Sequence, residues 1–283
     1  MEELAIAKEW ELAATLFAAV IVVMLPMELW RLYKTRADRR RWLELLASAS
    51  PLLPTLLMGG LVAAFILALY GGAAALAPWA IPTTPWTAAL TLLAVDFLYY
   101  WDHRCAHENR TYWALAHSVH HSSPHFDQTT GLRVSFVDGF ISPWFYLPLV
   151  LIGVDPLLVL GALGVIIAYQ QWLHTELIDK LPLLDGWLNT PSNHRVHHAM
   201  QPQYLDKNYG AILMVWDRLF GTYAREEEPV QYGLTVQIES ANPIKVHCAE
   251  AVKLVRDVWR SRSFAQALGY LWHKPGWQPE KLR

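Results

Sequence analysis

The chain has 283 residues, of which 54% are hydrophobic and only 17% are charged. Soluble domains carry about 25% charged residues, so this composition disfavours an ordinary soluble protein. The formal net charge of −2 gives no basic field for nucleic acid, and two cysteines are too few for a disulfide framework.

Long apolar stretches recur through the first two thirds of the chain. A membrane-spanning helix needs about 20 mostly apolar residues, or fewer when it is tilted or packed against neighbours. Asp155-Pro156 interrupts the last stretch, which we count as a hairpin making one or two passes. The sequence predicts an all-α integral membrane protein with four or five membrane helices. The predicted segments are residues 12–30, 52–77, 86–101, 136–153 and 156–173.

Basic residues predict the orientation of these segments. Lysines and arginines crowd residues 31–41, between the first two segments, whereas residues 78–85 carry no charge. The positive-inside rule therefore places the first link in the cytoplasm and the second link outside. Counting passes from there, residues 103–121, 174 and 194–198 all fall on the cytoplasmic side.

Eight histidines lie in three short clusters with the patterns HxxxH, HxxHH and HxxHH. Side chains three or four residues apart share one face of a helix, so each cluster is expected to present its imidazoles to one point. Imidazole binds iron, zinc, copper and nickel, and three such clusters offer more nitrogen than one ion uses. The sequence therefore predicts a two-metal centre. The clustered residues are His103, His107, His117, His120, His121, His194, His197 and His198.

Further candidates lie close to these clusters. His174 ends the last apolar segment at the depth where the clusters leave the membrane, and we predict it as a ninth ligand. Asp96 precedes His103 by two helical turns, and an ionisable residue in a membrane segment is usually functional. We expect Asp96 to orient a ligand or face the substrate, and Glu176 to be a second catalytic carboxylate. Other carboxylates able to accept a ligand's N–H are Asp102, Glu108, Asp127 and Asp206.

Residues 179–283 mix polar and apolar residues with several prolines. We expect short helices and loops that form a cytosolic cap and belong to the same domain, residues 1–283. Between about residues 249 and 272, apolar residues recur at helical spacing among lysines and arginines. This pattern fits a helix lying on the membrane surface, and it fits an ordinary amphipathic packing helix equally well.

The histidine clusters and their flanking residues resemble the fatty acid hydroxylase/sterol desaturase superfamily of membrane di-iron oxygenases. The likeness extends over about residues 86–240 and points to bacterial sterol-desaturase-like proteins and alkylglycerol monooxygenases. The segments that carry it are DFLYYWDHRCAHE (96–108), HSVHHSS (117–123), QWLHTE (171–176), NTPSNHRVHH (189–198), KNYG (207–210) and WDRLFGT (216–222).

The resemblance implies a four-helix membrane core with a cytosolic cap that holds two iron ions on the nine histidines. It also implies dioxygen, a separate electron-transfer partner as external electron donor, a lipid substrate and a bacterial inner membrane. The lipid would be a fatty acyl, sterol or alkylglycerol compound. Some relatives carry a further histidine where Gln170 stands, which predicts a lighter ligand shell or a water on one ion. Asp127 and Gly131 stand where relatives often carry Asn and Ala.

We expect hydroxylation of a lipid C–H bond. Desaturation and ether cleavage share its first step, and the ligand set does not separate them. The alternatives are a membrane zinc hydrolase, which needs an activated water rather than an oxidant, and a metal-handling membrane protein. Ion transport would place ligands along the spans, where only Asp96, Asp138 and Asp155 stand out. Copper remains open on ligand softness alone.

Overall fold

All regular elements are helices in residues 2–279, the part of the chain that this computed structural model describes. Two isolated β-bridges occur in the same range, and the all-α prediction is confirmed. Residues 1 and 280–283, the ends of the predicted domain, lie outside the described residues. The helices of the first half are α1 (Glu2–Lys34), α2 (Arg39–Ala49), α3 (Leu52–Leu76), α4 (Pro85–Glu108), α5 (Arg110–Tyr112), a π-helical turn (Trp113–His117) and α6 (Ser118–His121). They are followed by a 3₁₀ turn (Thr130–Leu132), α7 (Asp138–Ile141), α8 (Pro143–Leu151), α9 (Pro156–Gln170), a second 3₁₀ turn (Gln171–Leu173), α10 (Pro191–His197), α11 (Val215–Leu219), α12 (Pro243–Trp259) and α13 (Phe264–Trp272).

Local capping explains where α4 and α9 begin. The Thr84 hydroxyl accepts the N–H of Thr87, and the Thr87 hydroxyl accepts the N–H of Thr84, which forms a reciprocal capping box. The Asp155 carboxylate accepts the N–H of Leu157 at 2.7 Å, with Pro156 as the first helical residue. The predicted interruption at Asp155-Pro156 is therefore the start of α9, and α8 ends before it.

Helices α1, α4, α8 and α9 contribute to one apolar core. Its fully buried side chains include Val95 on α4, Val150 on α8 and Ile166 on α9. Helix α1 approaches α9 closely because Gly161 has no side chain: a Cβ atom there would lie 2.7 Å from the Trp10 ring. This packing fixes α4 and α9, which carry or precede several of the histidines.

In the part of the chain that the structure describes, two helical stretches are long and apolar enough to cross a membrane. They are Arg39–Leu76, with mean hydropathy 2.3, and Pro156–Leu173, with mean hydropathy 1.6. The predicted segment 12–30 lies in α1, and segment 86–101 lies in α4, which does not qualify by the same measure. Segment 136–153 forms α7 and α8, and the 9 residues of α8 extend only about 14 Å. The number of spans therefore stays a prediction.

The basic link between α1 and α3 contains helix α2, which is bound to the segment that follows the second histidine cluster. Glu44 on α2 forms a buried ion pair with Arg133, with 2.9 Å between Oε2 and the guanidinium nitrogen. Arg133 also donates to Ser122, which directly follows α6. Arg41 pairs with Asp127 in the same region. Helix α2 is thus tied to the segment that carries the second histidine cluster.

Candidate metal centre

Nine histidines converge into two neighbouring groups. Within each group, one nitrogen of every imidazole lies within 4.8 Å of those of all the other members. The first group contains His103, His107, His117, His121 and His197. The second group contains His120, His174, His194 and His198. These are the nine histidines singled out from the sequence. Among the described residues, His125, His247 and His273 belong to neither group.

The expectation that each cluster serves one point is wrong for two of the three clusters. His120 leaves its neighbours and joins the second group, and His197 joins the first group while His198 joins the second. Residues four apart on a helix differ by about 40° around its axis, whereas adjacent residues differ by about 100°. Residues such as His117 and His121 can therefore face one ion, but two adjacent histidines cannot. The HxxHH pattern thus supplies both ions.

Four parts of the chain bring the histidines together. The first cluster occupies the end of α4, and the second extends from the π-helical turn through α6. A π turn adds one residue to a helical turn and is frequent at functional sites. The third cluster lies on α10, whose start is capped by the Thr190 hydroxyl. His174 directly follows the second 3₁₀ turn, which itself follows α9.

Backbone carbonyls fix the tautomers of two imidazoles in the first group. The Nδ1 atom of His103 lies 2.9 Å from the Tyr209 carbonyl, and that of His197 lies 3.0 Å from the Lys207 carbonyl. A carbonyl can only accept, so both rings carry their proton on Nδ1. Their Nε2 atoms are therefore bare acceptors that point into the group, the orientation found in metal-binding histidines.

Hydrogen bonds alone cannot satisfy the nitrogens of this group. The Nε2 atoms of His103, His117, His121 and His197 follow one another at 3.1, 3.2 and 3.1 Å. His103 and His197 carry their protons on Nδ1, so only His117 and His121 can carry a proton on Nε2. At most two protons are therefore available for three nitrogen–nitrogen contacts. A cation bound to all the lone pairs removes this deficit.

The spacing also fits metal ligation. Two nitrogens at right angles about an ion, each about 2.1 Å from it, lie about 3.0 Å apart. In the second group, the Nε2 atom of His174 lies 3.2 Å from that of His120 and 2.9 Å from that of His194. The buried Nε2 atoms of His107 and His198 have no hydrogen-bond partner among the described residues. Both groups therefore suit a metal ion.

Burial keeps these imidazoles in the neutral form that binds metal. Desolvation lowers the pKa of His103 and of His174 to about 4. It also holds the pKa of the other members of the two groups well below the usual value; these are His107, His117, His120, His121, His194, His197 and His198. These imidazoles are therefore neutral at pH 7 and can bind a metal ion without first losing a proton.

The loop that supplies the two carbonyls is held by side chains that were not among the candidate site residues predicted from the sequence. Asp217 accepts the N–H groups of Tyr209 and Gly210 at 2.8 and 2.7 Å. Asn208 adopts a left-handed conformation with φ of 57°. Its side chain donates to the Asn193 carbonyl at 3.0 Å, next to a histidine of the second group. Only the segments KNYG and WDRLFGT, quoted for the family resemblance, pointed to this loop.

The two predicted catalytic carboxylates lie beside the site, not in it. Asp96 accepts the N–H of Ile212 and the indole N–H of Trp216, each at 2.8 Å. It therefore ties α4 to the chain that follows the Tyr209 loop. Glu176 is partly exposed and lies 3.6 Å from Arg31, at the edge of a polar cavity of about 600 Å³.

Three of the other carboxylates predicted as partners of ligands, Glu108, Asp127 and Asp206, make no hydrogen bond to an imidazole of the described residues. Asp206 approaches a histidine, with 4.0 Å between Oδ1 and the His107 Nδ1 atom. Glu108 pairs with Arg104 and Lys274. The Asp127 carboxylate binds Arg41, as described above. The Nδ1 partners of His103 and His197 are backbone carbonyls, which acidic residues in the sequence do not reveal.

A cavity of about 300 Å³ adjoins both histidine groups. It touches His103 and His117 of the first group and His120 and His174 of the second. Its apolar wall includes Ile66 from α3 together with Leu163 and Ile167 from α9. Its polar wall includes Asp102, Tyr112, Arg133, Asp138 and Ser142. The cavity therefore connects the candidate metal centre with two of the most apolar helices.

Tyr112 links two carboxyl groups in the polar wall. Its hydroxyl lies 2.8 Å from Asp102 and 2.7 Å from Asp138. Asp102 also accepts from Ser142 and Tyr146, and burial raises its pKa to about 7. This network joins the end of α4 to α5, α7 and α8.

We expect Tyr112→Phe to lower the free energy of unfolding by about 1–3 kcal/mol, because two buried carboxyl groups lose their shared partner. Thermal unfolding in detergent micelles measures the effect. The matched control is Tyr70→Phe, whose buried hydroxyl donates to a single carbonyl, that of Pro143. A loss no greater than that of the control would show that the bridge adds nothing.

Comparison with known proteins gives one family match and several similar proteins. Residues 88–222 match the fatty acid hydroxylase family. Alkylglycerol monooxygenase from Xenopus tropicalis is 43% identical over 206 residues, and that from Homo sapiens is 41% identical over the same length. Each alignment covers 73% of this chain and 45% of the relative.

A bacterial lipid-modifying enzyme is also similar. The ornithine lipid hydroxylase of Rhizobium tropici is 33% identical over 142 residues, covering 50% of this chain and 42% of the relative. The chain thus spans less than half the length of these relatives. No solved structure matches it significantly. Residues 88–222, which contain all nine histidines of the two groups, form a fatty acid hydroxylase family domain.

Proposed function

We propose that the protein is a dioxygen-dependent membrane oxidoreductase that hydroxylates a C–H bond of a lipid at a centre of two iron ions. The observation that carries the proposal is the pair of buried histidine groups, which share one cavity with an apolar wall. The fatty acid hydroxylase domain and the similarity to named lipid hydroxylases and monooxygenases support an enzyme that oxidises lipids. Desaturation that begins at the same C–H bond is the alternative reaction within this proposal.

In this proposal, five histidines hold one ion and four hold the other. The Gln170 side chain lines the cavity, but its carbonyl oxygen accepts the Tyr99 hydroxyl at 3.0 Å. The amide is therefore engaged away from the second group. That ion would keep four imidazoles and a position for water.

Bound iron would supply the activation of dioxygen, with electrons delivered by a separate electron-transfer partner. The chain supplies binding, orientation and exclusion of water. Ile66, Leu163 and Ile167 would receive the alkyl part of the lipid, which reaches them from the bilayer. The polar wall around Tyr112 would hold the head of the lipid. A substrate fixed at both ends presents one C–H bond to the metal centre repeatedly.

Asp96 and Glu176 enter the proposal with different roles. Asp96 would act as a positioning residue, because it anchors the chain next to the loop whose carbonyls hold His103 and His197. Glu176 would be one of the charged groups of the polar cavity, from which water and protons would reach the second histidine group. Phe126, which lines that cavity, lies 5.1 Å from the His198 ring, measured between ring centroids.

We further propose four or five spans, with residues 179–283 forming a cap on the cytoplasmic face of a bacterial inner membrane. The basic residues of the α1–α3 link support this orientation. The two apolar helical stretches support the membrane location. The chain would then form a single membrane domain with its active site at the inner lipid boundary.

Metal and product analysis test the proposal. Protein purified without oxygen is expected to contain two iron ions per chain. Lipid extracts from cells that produce it are expected to gain oxygen from isotopically labelled dioxygen. Zinc in place of iron, with lipid cleavage in the absence of dioxygen, would favour a hydrolase. Two bound irons without any oxygenated or desaturated lipid would favour a metal-handling protein.

A further inference from the structure

Helices α12 and α13 carry an apolar face that the rest of the described chain leaves exposed. Trp259 and Trp272 are 88% and 77% exposed, which is unusual for such large apolar side chains. The exposed residues recur every three or four positions, so they form one stripe along each helix. The stripe consists of Ile244, Cys248, Val252, Val255 and Trp259 on α12, and of Phe264, Leu268 and Trp272 on α13.

The other side of α12 already packs on the protein. Val246 and Leu254 are buried there, on the side of the helix away from the exposed stripe. This side contacts the π-helical turn Trp113–His117 and also α2. The exposed stripe is therefore a second apolar face, in addition to the one that an ordinary packing helix needs.

Basic side chains occupy the remaining arc of α12. Successive residues advance by about 100°, which places Lys245 and Arg256 directly beside the apolar stripe, while Arg260, which follows the helix, lies farther round towards the buried side. These three side chains have no ion-pair partner among the described residues, whereas Lys253 on the same arc lies 3.5 Å from Glu250. An apolar stripe with tryptophans and an adjacent row of free positive charges matches the surface of an anionic bilayer.

The position of α12 agrees with such a surface. Helix α2, which it contacts, directly precedes the apolar stretch of α3 and contains the basic residues of the α1–α3 link. The π-helical turn, its other contact, follows closely on α4. Helix α12 therefore lies where two of the proposed spans meet the cytoplasm. A cytoplasmic protein partner would not require the stripe to lie at the level of the membrane surface.

We propose that α12 and α13 lie in the headgroup layer of an anionic bilayer, with the stripe among the acyl chains and the basic row against lipid phosphates. The inference rests on the proposed membrane location of the enzyme. It also gives the cap a function: the bilayer surface holds α12 against the turn that carries His117. Each basic residue near such a surface favours contact about fivefold.

Spin labels on the full chain in nanodiscs test this placement. The native Cys248 lies in the stripe, and the variant Cys248→Ser corrects for any label on Cys105. In that variant, Val252→Cys adds a second stripe position and Lys253→Cys provides the neighbouring control on the basic arc. Collisions with oxygen, which concentrates in lipid, are compared with collisions with a water-soluble nickel complex.

In nanodiscs that contain anionic lipid, labels at 248 and 252 are expected to meet oxygen more often than nickel, and the label at 253 the reverse. Replacing Arg256 and Arg260 by glutamine is expected to weaken this contrast. Equal nickel access at 252 and 253 would overturn the proposal, and so would protection of 252 from both reagents, which indicates cover by protein. Iron content and lipid oxidation measured on the same samples separate a failure of this placement from a failure of the proposed function.

Discussion

Replacing His197 or His198 by alanine, two neighbours in the chain, is expected to disturb two different metal ions. His197 belongs to the five-membered group and His198 to the four-membered group. Each variant should retain about one tightly bound iron per chain. Loss of one imidazole ligand should lower the affinity for its ion by more than the 10- to 100-fold that is typical when a hydrogen-bond partner of a ligand is removed. Mössbauer spectra of iron-loaded protein, combined with metal analysis, identify which ion is lost. Oxidation of lipid should stop in both variants.

The matched control for these variants is His125→Ala. His125 is close in sequence to the second cluster, but it lines the polar cavity and belongs to neither group. We expect this variant to keep both irons and an unchanged spectrum. If the His197 and His198 variants changed the same spectral component, the division of the clusters between two ions would be wrong.

Asp217→Asn is expected to reduce the affinity of the first group for iron by about 10- to 100-fold. The Asp217 carboxylate accepts two backbone N–H groups, from Tyr209 and Gly210, and an amide can accept both only poorly. The loop would then lose the position in which the Tyr209 carbonyl fixes His103. Competition for iron with a chelator of known affinity measures the loss, and the second ion should be retained.

Two controls separate the loop backbone from other effects. The buried Tyr209 hydroxyl has no hydrogen-bond partner among the described residues, so Tyr209→Phe should leave iron binding unchanged. Asp179→Asn changes an exposed carboxylate outside the site and should also have no effect. An Asp217→Asn variant that bound iron normally would show that the carbonyls do not orient the histidines.

The spacing of the histidines indicated a metal centre because a helix repeats locally. Positions 103 and 107, or 194 and 198, share a helix face in almost any fold. Spacing alone did not show that His120 and His197 would leave their clusters, because that depends on where the partner segments lie. The π-helical turn that includes His117 was equally hidden, because no sequence pattern marks it.

Asp96 also shows what the sequence alone could not reveal. Its place two turns before His103 suggested a direct role, and a polar residue in an apolar helix is a sound reason to expect one. In the structure its carboxylate binds Ile212 and Trp216, more than one hundred residues away in the chain. The sequence signalled that the residue mattered, while the partner depended on tertiary packing.

The amino-acid sequence by itself determined that the chain is helical, rich in apolar segments and equipped with eight histidines at metal-binding spacing and a ninth, His174, nearby. These properties are set by composition and by contacts within a few residues. Only the tertiary structure decided that the histidines divide five and four, that carbonyls of the Lys207–Tyr209 loop orient two of them, and that Glu44 of α2 pairs with Arg133 beside the site. Each of these joins segments distant in the chain, and their pairing is selected by burial and hydrogen bonding in three dimensions, which no local pattern encodes.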